Sequence, residues 1–474
     1  MATSQQQTQP PNTPKTKNPK LTHTELGRLY LARHRKYTLF ARGYWHRYSG
    51  GVWTPVPDFE IEMEVWNLME SFESAPHFYH PTDGIKKSVL SYVRSSVSIS
   101  EEKLDAYPNL INLKNGIYNL DTDSLIDHDP IYLLTSQLPF EYAPAATCTF
   151  WDLFIQTTFT DITGKITDQE LIYFIQEITG YSLTTDISYQ VMFWCIGEGE
   201  NGKGVLFHVL NKLGGASAAH VDLNILKKEK YQLATLLGKR IVMCSEANTH
   251  DNLVEDGIIK AYVAGDPIPV RQIRREPFTL YPTGKLWWSM NRLPTITDTS
   301  HGFWRRMRPI PFNNTFEDGN RIVDLKDKLD CELSGIFNWC LIGLRRLKAN
   351  QRFSHCSQVE LMKLQLQTES NTIRLFIEDE AEVTWMNAIE KKIDPKTVDG
   401  LEESSAEVYD RYKQWAILNG YKPLSNRSFK TEMESLKFYY GKDKNRTMRV
   451  IKRIKLSKSK TSKFAPSSPT QSSF

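Results

Sequence analysis

Apolar residues in this chain fall into short runs divided by glycine, asparagine and charged clusters, and the spacing within each run predicts an element. Val191-Met192-Phe193-Trp194-Cys195-Ile196 is continuous and brief, as in a buried strand, and Val205-Leu206-Phe207-His208-Val209-Leu210, beyond a set of glycines, predicts a helix. Residues 238–240 read as a turn feeding a second buried strand, Ile241-Val242-Met243-Cys244, which ends at Ser245-Glu246. A third strand, residues 285–290, ends at Asn291 before Arg292-Leu293-Pro294. Between them, residues 271–281 flank a basic tip with alternating apolar positions, the pattern of a β-hairpin. Strands interleaved with helices predict an α/β core.

Outside that core the pattern changes. Residues 24–37 have helical spacing with a basic face of Arg28, Arg33, Arg35 and Lys36. Residues 44–53 predict a hairpin turning at Gly50-Gly51, and residues 112–120 a second one centred on Asn115-Gly116. Leu153, Phe154, Leu171, Ile172, Phe174, Ile175 and Ile178 recur at helical intervals and are expected to pack, with a break at Gly180. Residues 325–347 predict a further helix, and Ala349-Asn350-Gln351 offers no Pro or Gly to mark where a linker begins. Residues 373–380 and 406–418 predict helices, and Ser425 or Asn426 can cap another that carries Arg427 and Lys430 before basic, strand-like segments.

The first strand and its helix are joined by Gly197-Glu198-Gly199-Glu200-Asn201-Gly202-Lys203-Gly204, with Val205 opening the apolar run. Glycines let the backbone turn its amides toward an anion, and the helix N-terminus adds a favourable dipole. The same residues also spell the dinucleotide fingerprint, and Asp222 lies about 20 residues on, where a ribose-binding acid is expected. Lys203 favours a triphosphate, because a dinucleotide loop has no use for a cation there. Gly204 stands where a magnesium-binding hydroxyl is usual, so the metal would rely on phosphate oxygens, water and Glu246. Ser245-Glu246 also offers one carboxylate where many triphosphate-cleaving P-loop proteins have two.

The chain has 474 residues, 40% of them hydrophobic, enough for several cores, and its net charge of +4 is unremarkable in total. Its distribution matters more. Lys442, Lys444, Arg446, Arg449, Lys452, Arg453, Lys455, Lys458 and Lys460 are opposed in that stretch by Asp443 alone, which favours a polyanion. The six cysteines lack C-x-x-C spacing, so a reducing compartment, a bacterial host cytoplasm or its equivalent, is expected. No apolar run is long enough to span a bilayer, so no membrane partner is expected. His77 and His80, and Asp127-His128-Asp129, lack the further ligands that a metal site needs.

The glycine loop with Asn201-Gly202-Lys203, the strand ending in Ser245-Glu246, and the block from Lys260 through Gly265-Asp266-Pro267 and Pro277-Phe278 to Asn291-Arg292-Leu293-Pro294 together resemble the superfamily 3 helicases, in particular the poxvirus and phage/plasmid primase-helicase family. The resemblance implies an AAA+ P-loop ATPase that forms a ring, expected to be a homo-hexamer, around single-stranded DNA. It implies ATP and Mg2+ as cofactors. Lys203 matches the nucleotide-binding lysine, Glu246 the second-motif acid that polarises water and helps hold the metal, and Asn291 the sensor amide. Arg306, with Arg305 beside it, matches the finger supplied to a neighbouring subunit. Arg271, Arg274 and Arg275 match a channel hairpin that grips the DNA backbone.

The resemblance further implies an N-terminal α+β accessory domain and a C-terminal winged-helix-like domain, with Arg427 and Lys430 on its recognition helix and Lys442, Lys444 and Arg446 in its wing. The boundaries are then a disordered tail at 1–22, the accessory domain at 23–148, a helical collar at 149–188, the ATPase at 189–350, the winged-helix-like domain at 371–456 and a basic disordered tail at 457–474. No acidic pair suited to nucleotide polymerisation is evident, so a primase or polymerase is expected as a separate partner. Two activities stay open: a replicative helicase of a phage, plasmid or similar element, acting 3′-to-5′ at or near duplex origin DNA, or an ATP-binding initiator or scaffold without strong motor activity.

Overall fold

A computed structural model describes residues 21–72, 80–221, 230–244, 256–271, 277–291, 301–316, 322–384, 398–419, 421, 423–445 and 447–457. Contacts divide the chain into two units, residues 1–297 with 305–360, and residues 298–304 with 361–474.

The first unit opens with α1 (His23–His34), whose N-cap Thr22 and Glu25 close a capping box. An antiparallel sheet of β1 (Thr38–Ala41), β2 (Tyr44–Ser49) and β3 (Val52–Val56) follows. Its second turn uses Gly50 and Gly51, both at positive φ, as a tight hairpin requires. Helices α2 (Asp58–Glu70) and α3 (Asp83–Val97) share a core with α1 built on Leu26, Tyr30, Ile61, Val65, Val89 and Val93. A second antiparallel meander contains β4 (Leu110–Leu113), β5 (Gly116–Asn119) and β6 (Ser124–Ile126). His128 Nε2 lies 3.0 Å from Asn112 Oδ1 and 2.8 Å from the Leu113 carbonyl, which gives this histidine a structural place. Among the described residues no group of three or more His, Cys, Asp or Glu side chains could hold a metal.

Helices α4 (Thr149–Thr158) and α5 (Gln169–Ser182) lead to the central sheet. Two expectations are corrected here. Leu153 is 44% exposed instead of packed. Gly180 does not break α5, which runs on to Ser182. A Cβ at Gly180 would come 2.6 Å from the Cys340 carbonyl, so the glycine permits close approach of a later helix.

The central sheet is wholly parallel: β7 (Met192–Ile196), β8 (Ala218–Val221), β9 (Ile241–Cys244), β12 (Lys285–Met290) and β13 (Met307–Pro311), in the order β13-β7-β12-β9-β8. Its inner strands are apolar on both faces, with Phe193, Trp194, Met243 and Trp287 essentially inaccessible, as parallel strands covered on both sides must be. Helix α6 (Lys203–Gly214) follows β7, and α7 (Asp256–Ala264) follows β9. The short pair β10 (Ile268–Val270) and β11 (Phe278–Leu280) is antiparallel, with Val270 opposite Phe278.

At the start of β9 and β12 stand two buried cations. Arg240 donates from Nε to Ser136 Oγ at 2.9 Å and from Nη1 to the Leu183 carbonyl at 2.7 Å, and Lys285 Nζ donates to the Thr184 carbonyl at 2.6 Å. Burial drives the Lys285 ammonium well below the usual lysine pKa. The helix expected over residues 325–347 is two helices, α8 (Leu325–Asp330) and α9 (Leu333–Asn350). Between them Glu332 turns its carboxylate to the Phe150 and Trp151 amides, both at 3.0 Å, at the start of α4. Helix α9 ends on Gln351 in the left-handed region, a cap made without glycine.

The second unit contains α10 (Thr372–Glu380), α11 (Ser405–Leu418) and α12 (Asn426–Ser435), the last capped by Ser425. Strand β14 (Ala381–Thr384) pairs with β18 (Ile454–Leu456), and β15 (Glu402–Ser404), β17 (Arg449–Lys452) and β16 (Tyr439–Lys442) form an antiparallel sheet in that order. Ile373, Phe376, Tyr412, Phe429, Met433 and Ile451 make its core. No helix among the described residues is long and apolar enough to cross a membrane.

Candidate functional site

The carboxyl ends of β7 and β12 lie side by side, with Ile196 opposite Met290, and the residue after each strand enters one crevice. From β7 the chain passes through the glycine loop into α6. Gly199 at φ +115°, Glu200 at φ +46° and Gly202 at φ +90° give the loop its turns. Gly197 also needs to be glycine on grounds of space. A Cβ there would collide with Asn201 Nδ2 and lie 2.8 Å from the Phe312 carbonyl. The position of a Cβ on Gly204, by contrast, has nothing within 4 Å.

Lys203, the first residue of α6, is 7% exposed, and its Nζ donates to the Gly197 carbonyl and, at 2.8 Å, to Asn291 Oδ1. Residues separated by 88 positions in the chain thus meet because their strands are adjacent. Asn201, 3% exposed, accepts from the Lys203 amide at 3.4 Å, while its buried Nδ2 has no hydrogen-bond partner among the described residues. An ammonium, a helix N-terminus and a buried amide donor in one concave loop suit a polyanion. Cys195, immediately before the loop, is no nucleophile, because burial pushes its thiol far above the ordinary range against the pull of the Lys203 charge.

The arginines of the predicted finger are elsewhere. Arg306 and Arg305 precede β13, whose Met307 lies opposite Met192, so they occupy the amino end of the sheet while Lys203 and Asn291 lie at its carboxyl end. Within one chain the length of β7, roughly 16 Å at the parallel-strand rise, separates them. Arg305 is exposed and donates from Nη2 to Gln190 Oε1 at 3.0 Å. Burial and the neighbouring Arg305 charge lower the Arg306 guanidinium, with Asp266 opposing.

Arg271 is exposed at the end of β10. Glu246, Arg274, Arg275 and Arg446 lie outside the described residues. In the second unit Arg427 and Lys430 are exposed on α12, Lys430 Nζ lies over the Tyr440 ring at 5.2 Å, and Lys442 and Lys444 are exposed on and just after β16.

Sequence reasoning missed how the loop is backed. Phe154 and Thr158 of α4 press on Gly202, Thr158 Oγ1 is buried with no hydrogen-bond partner among the described residues, and the Phe316 amide donates to the Glu200 carbonyl at 2.8 Å. No local pattern signals these contacts, since α4 and Phe316 reach the loop from distant parts of the chain.

Residues 28–160 match the family described as D5 N terminal like, and residues 195–306 match a family of unknown function, DUF5906. A protein of Acanthamoeba polyphaga mimivirus named "Putative helicase" is 25% identical over 224 residues, covering 45% of this chain and 22% of that protein. One of Invertebrate iridescent virus 3, with the same description, is 23% identical over 456 residues, covering 76% of this chain and 47% of the relative. The chain therefore spans less than half the length of either relative. Among solved structures, the apo C-terminal region of NrS-1 is similar at TM-score 0.51 and 11% identity, over 90% of this chain and 99% of that one, which shows a shared mixed α/β fold.

Proposed function

We propose that the chain is a member of the poxvirus and phage/plasmid primase-helicase family and, within it, an ATP-dependent replicative DNA helicase that works as a ring, expected to be hexameric, and moves 3′-to-5′ on single-stranded DNA. One observation carries the reading: Lys203, at the start of α6, meets Asn291, at the end of the adjacent parallel strand, across a loop turned at Gly199, Glu200 and Gly202 whose Asn201 Nδ2 has no hydrogen-bond partner among the described residues.

The residues present fit a triphosphate. Lys203 would neutralise the β- and γ-phosphates, the loop amides and Asn201 Nδ2 would donate to their oxygens, and Asn291 would orient the γ-phosphate or the attacking water. Glu246 is proposed to polarise that water and to share magnesium with phosphate oxygens and solvent, since Gly204 has no hydroxyl to give. Bound Mg-ATP supplies the phosphoanhydride whose cleavage powers the cycle. Arg306, or Arg305 beside it, would act on the nucleotide of a neighbouring copy, a role supported by its distance from its own chain's loop. Arg271, Arg274 and Arg275 would hold the strand by its phosphates. A winged-helix-like second unit would touch DNA, duplex origin DNA included, through Arg427, Lys430, Lys442, Lys444 and Arg446. A separate primase or polymerase completes the proposed set of partners.

Gly204 also favours a second reading, an initiator or scaffold that binds ATP without strong turnover. ATPase rates with and without single-stranded DNA, taken together with displacement of an annealed strand, separate the two. DNA-stimulated turnover with displacement is expected. ATP binding with negligible turnover leaves the scaffold, and no ATP binding under any nucleic-acid condition removes both.

A further inference from the structure

A cavity of about 720 Å³ adjoins the glycine loop at Glu200, Gly202 and Val205. That is within the roughly 300–1,000 Å³ of small-molecule sites and more than phosphates require. Its remaining walls come from two distant segments. Phe154 and Leu153 of α4 form one side, and Leu153 is the apolar residue left 44% exposed although its spacing places it with the packed ones. Phe316 and Leu325, from the chain beyond β13, form the other, and Phe316 is fixed there by the bond from its amide to the Glu200 carbonyl.

The rim is of different character. Asp324, Lys326 and Asp327 line it; the Asp324 carbonyl accepts from the Lys328 amide at 3.1 Å, and neither carboxylate has a hydrogen-bond or ion-pair partner among the described residues. Asp324 stands just before α8 in the left-handed region at φ +55°, with no side-chain cap bond to that helix. An ionised carboxylate only accepts hydrogen bonds, and it repels phosphate. The cavity therefore has a defined polarity. Its loop end, at Gly202 and the start of α6, suits anionic oxygens, its walls suit a flat apolar body, and its far rim, where two carboxylates flank Lys326, suits hydroxyl donors.

We propose that this cavity holds the nucleoside half of a purine ribonucleoside triphosphate, with the base between the α4 wall and Phe316 and the ribose hydroxyls donating to Asp324 and Asp327. The assignment rests on the reading of the loop as a triphosphate site. It gives Leu153 a reason for its exposure, and it makes the segment after β13 a determinant of which nucleotide is accepted.

Calorimetric titration of the full chain with ATP, 2′-deoxy-ATP and inorganic tripolyphosphate tests it. The unaltered protein should bind ATP more tightly than tripolyphosphate. Phe316→Ala should weaken ATP by about tenfold or more, as loss of aromatic stacking does, and leave tripolyphosphate unchanged, which also shows that the variant is folded. Asp324→Asn, at an exposed position that asparagine tolerates in the left-handed region, should reduce the preference for ATP over 2′-deoxy-ATP. The nucleoside assignment is overturned, with the loop reading intact, if ATP and tripolyphosphate bind the unaltered protein equally, or if Phe316→Ala spares ATP or weakens both ligands alike. It is overturned for the ribose if Asp324→Asn leaves the preference untouched. If neither ligand binds the unaltered protein, the loop reading fails first and the inference goes with it.

Discussion

Lys203 draws its position from two contacts that no neighbour in sequence provides, the carbonyl of Gly197 across the loop and the amide oxygen of Asn291 across the sheet. At the first residue of α6 its ammonium adds to the positive end of the helix dipole, where a phosphate is favoured. Replacing Lys203 by Ala should therefore lower ATP affinity by about ten- to a hundredfold, the size of a lost charge-assisted contact, while far-UV circular dichroism stays that of the unaltered chain. Equal ATP affinity in the two proteins would remove the residue from the site. Asn291→Ala should slow turnover more than it weakens binding, and a kcat equal to that of the unaltered protein would leave the amide as a structural strand end. The lysine itself is legible from its place after Asn201-Gly202. That Asn201 buries an amide nitrogen with no hydrogen-bond partner among the described residues is not, because burial of the loop depends on segments such as Phe312 that arrive from elsewhere in the chain.

Among elements, strand and hairpin positions follow from the chain's own alternation, as at β2–β3 with Gly50-Gly51 and β4–β5 with Asn115-Gly116. Helix ends are less legible. Gly180 has the composition of a stop but acts as a contact point, since the rest of α5 gains more from packing on α9 than the glycine costs. Gly180→Ala should consequently destabilise the fold by about 1–3 kcal/mol through overpacking, measurable as a lower urea midpoint at constant m, although alanine is the better helix former. An unchanged or raised midpoint would mean that α5 and α9 have slack the distances do not show. The pair β10–β11 carries the other element-scale expectation. Arg271→Ala should weaken single-stranded DNA binding and flatten the plot of log K against log salt by about 0.7, one phosphate contact's worth. A parallel displacement with the slope preserved would take Arg271 off the strand's path.

Across the whole molecule, the parallel sheet sets Lys203 and Asn291 at one end and Arg305 and Arg306 at the other. A finger that serves a nucleotide must then serve the next copy's. If the proposed ring forms, mixing Arg306→Ala with Lys203→Ala protein should restore part of the ATPase activity that each variant is expected to lack alone, because wherever the two kinds of subunit meet in the right order an intact pocket faces an intact arginine. Mixtures no more active than their components would assign Arg306 a role within its own chain. What the sequence by itself determined is local: a strand, a glycine turn and a helix opening on a lysine, because backbone freedom, charge and period are properties of neighbouring residues. Tertiary structure alone decided that β12 lies against β7, that Asn291 reaches Lys203, and that Phe154 and Phe316 wall a cavity beside the loop. Strand order and the closure of distant segments depend on the total burial of the sheet's two faces, a quantity no single segment contains.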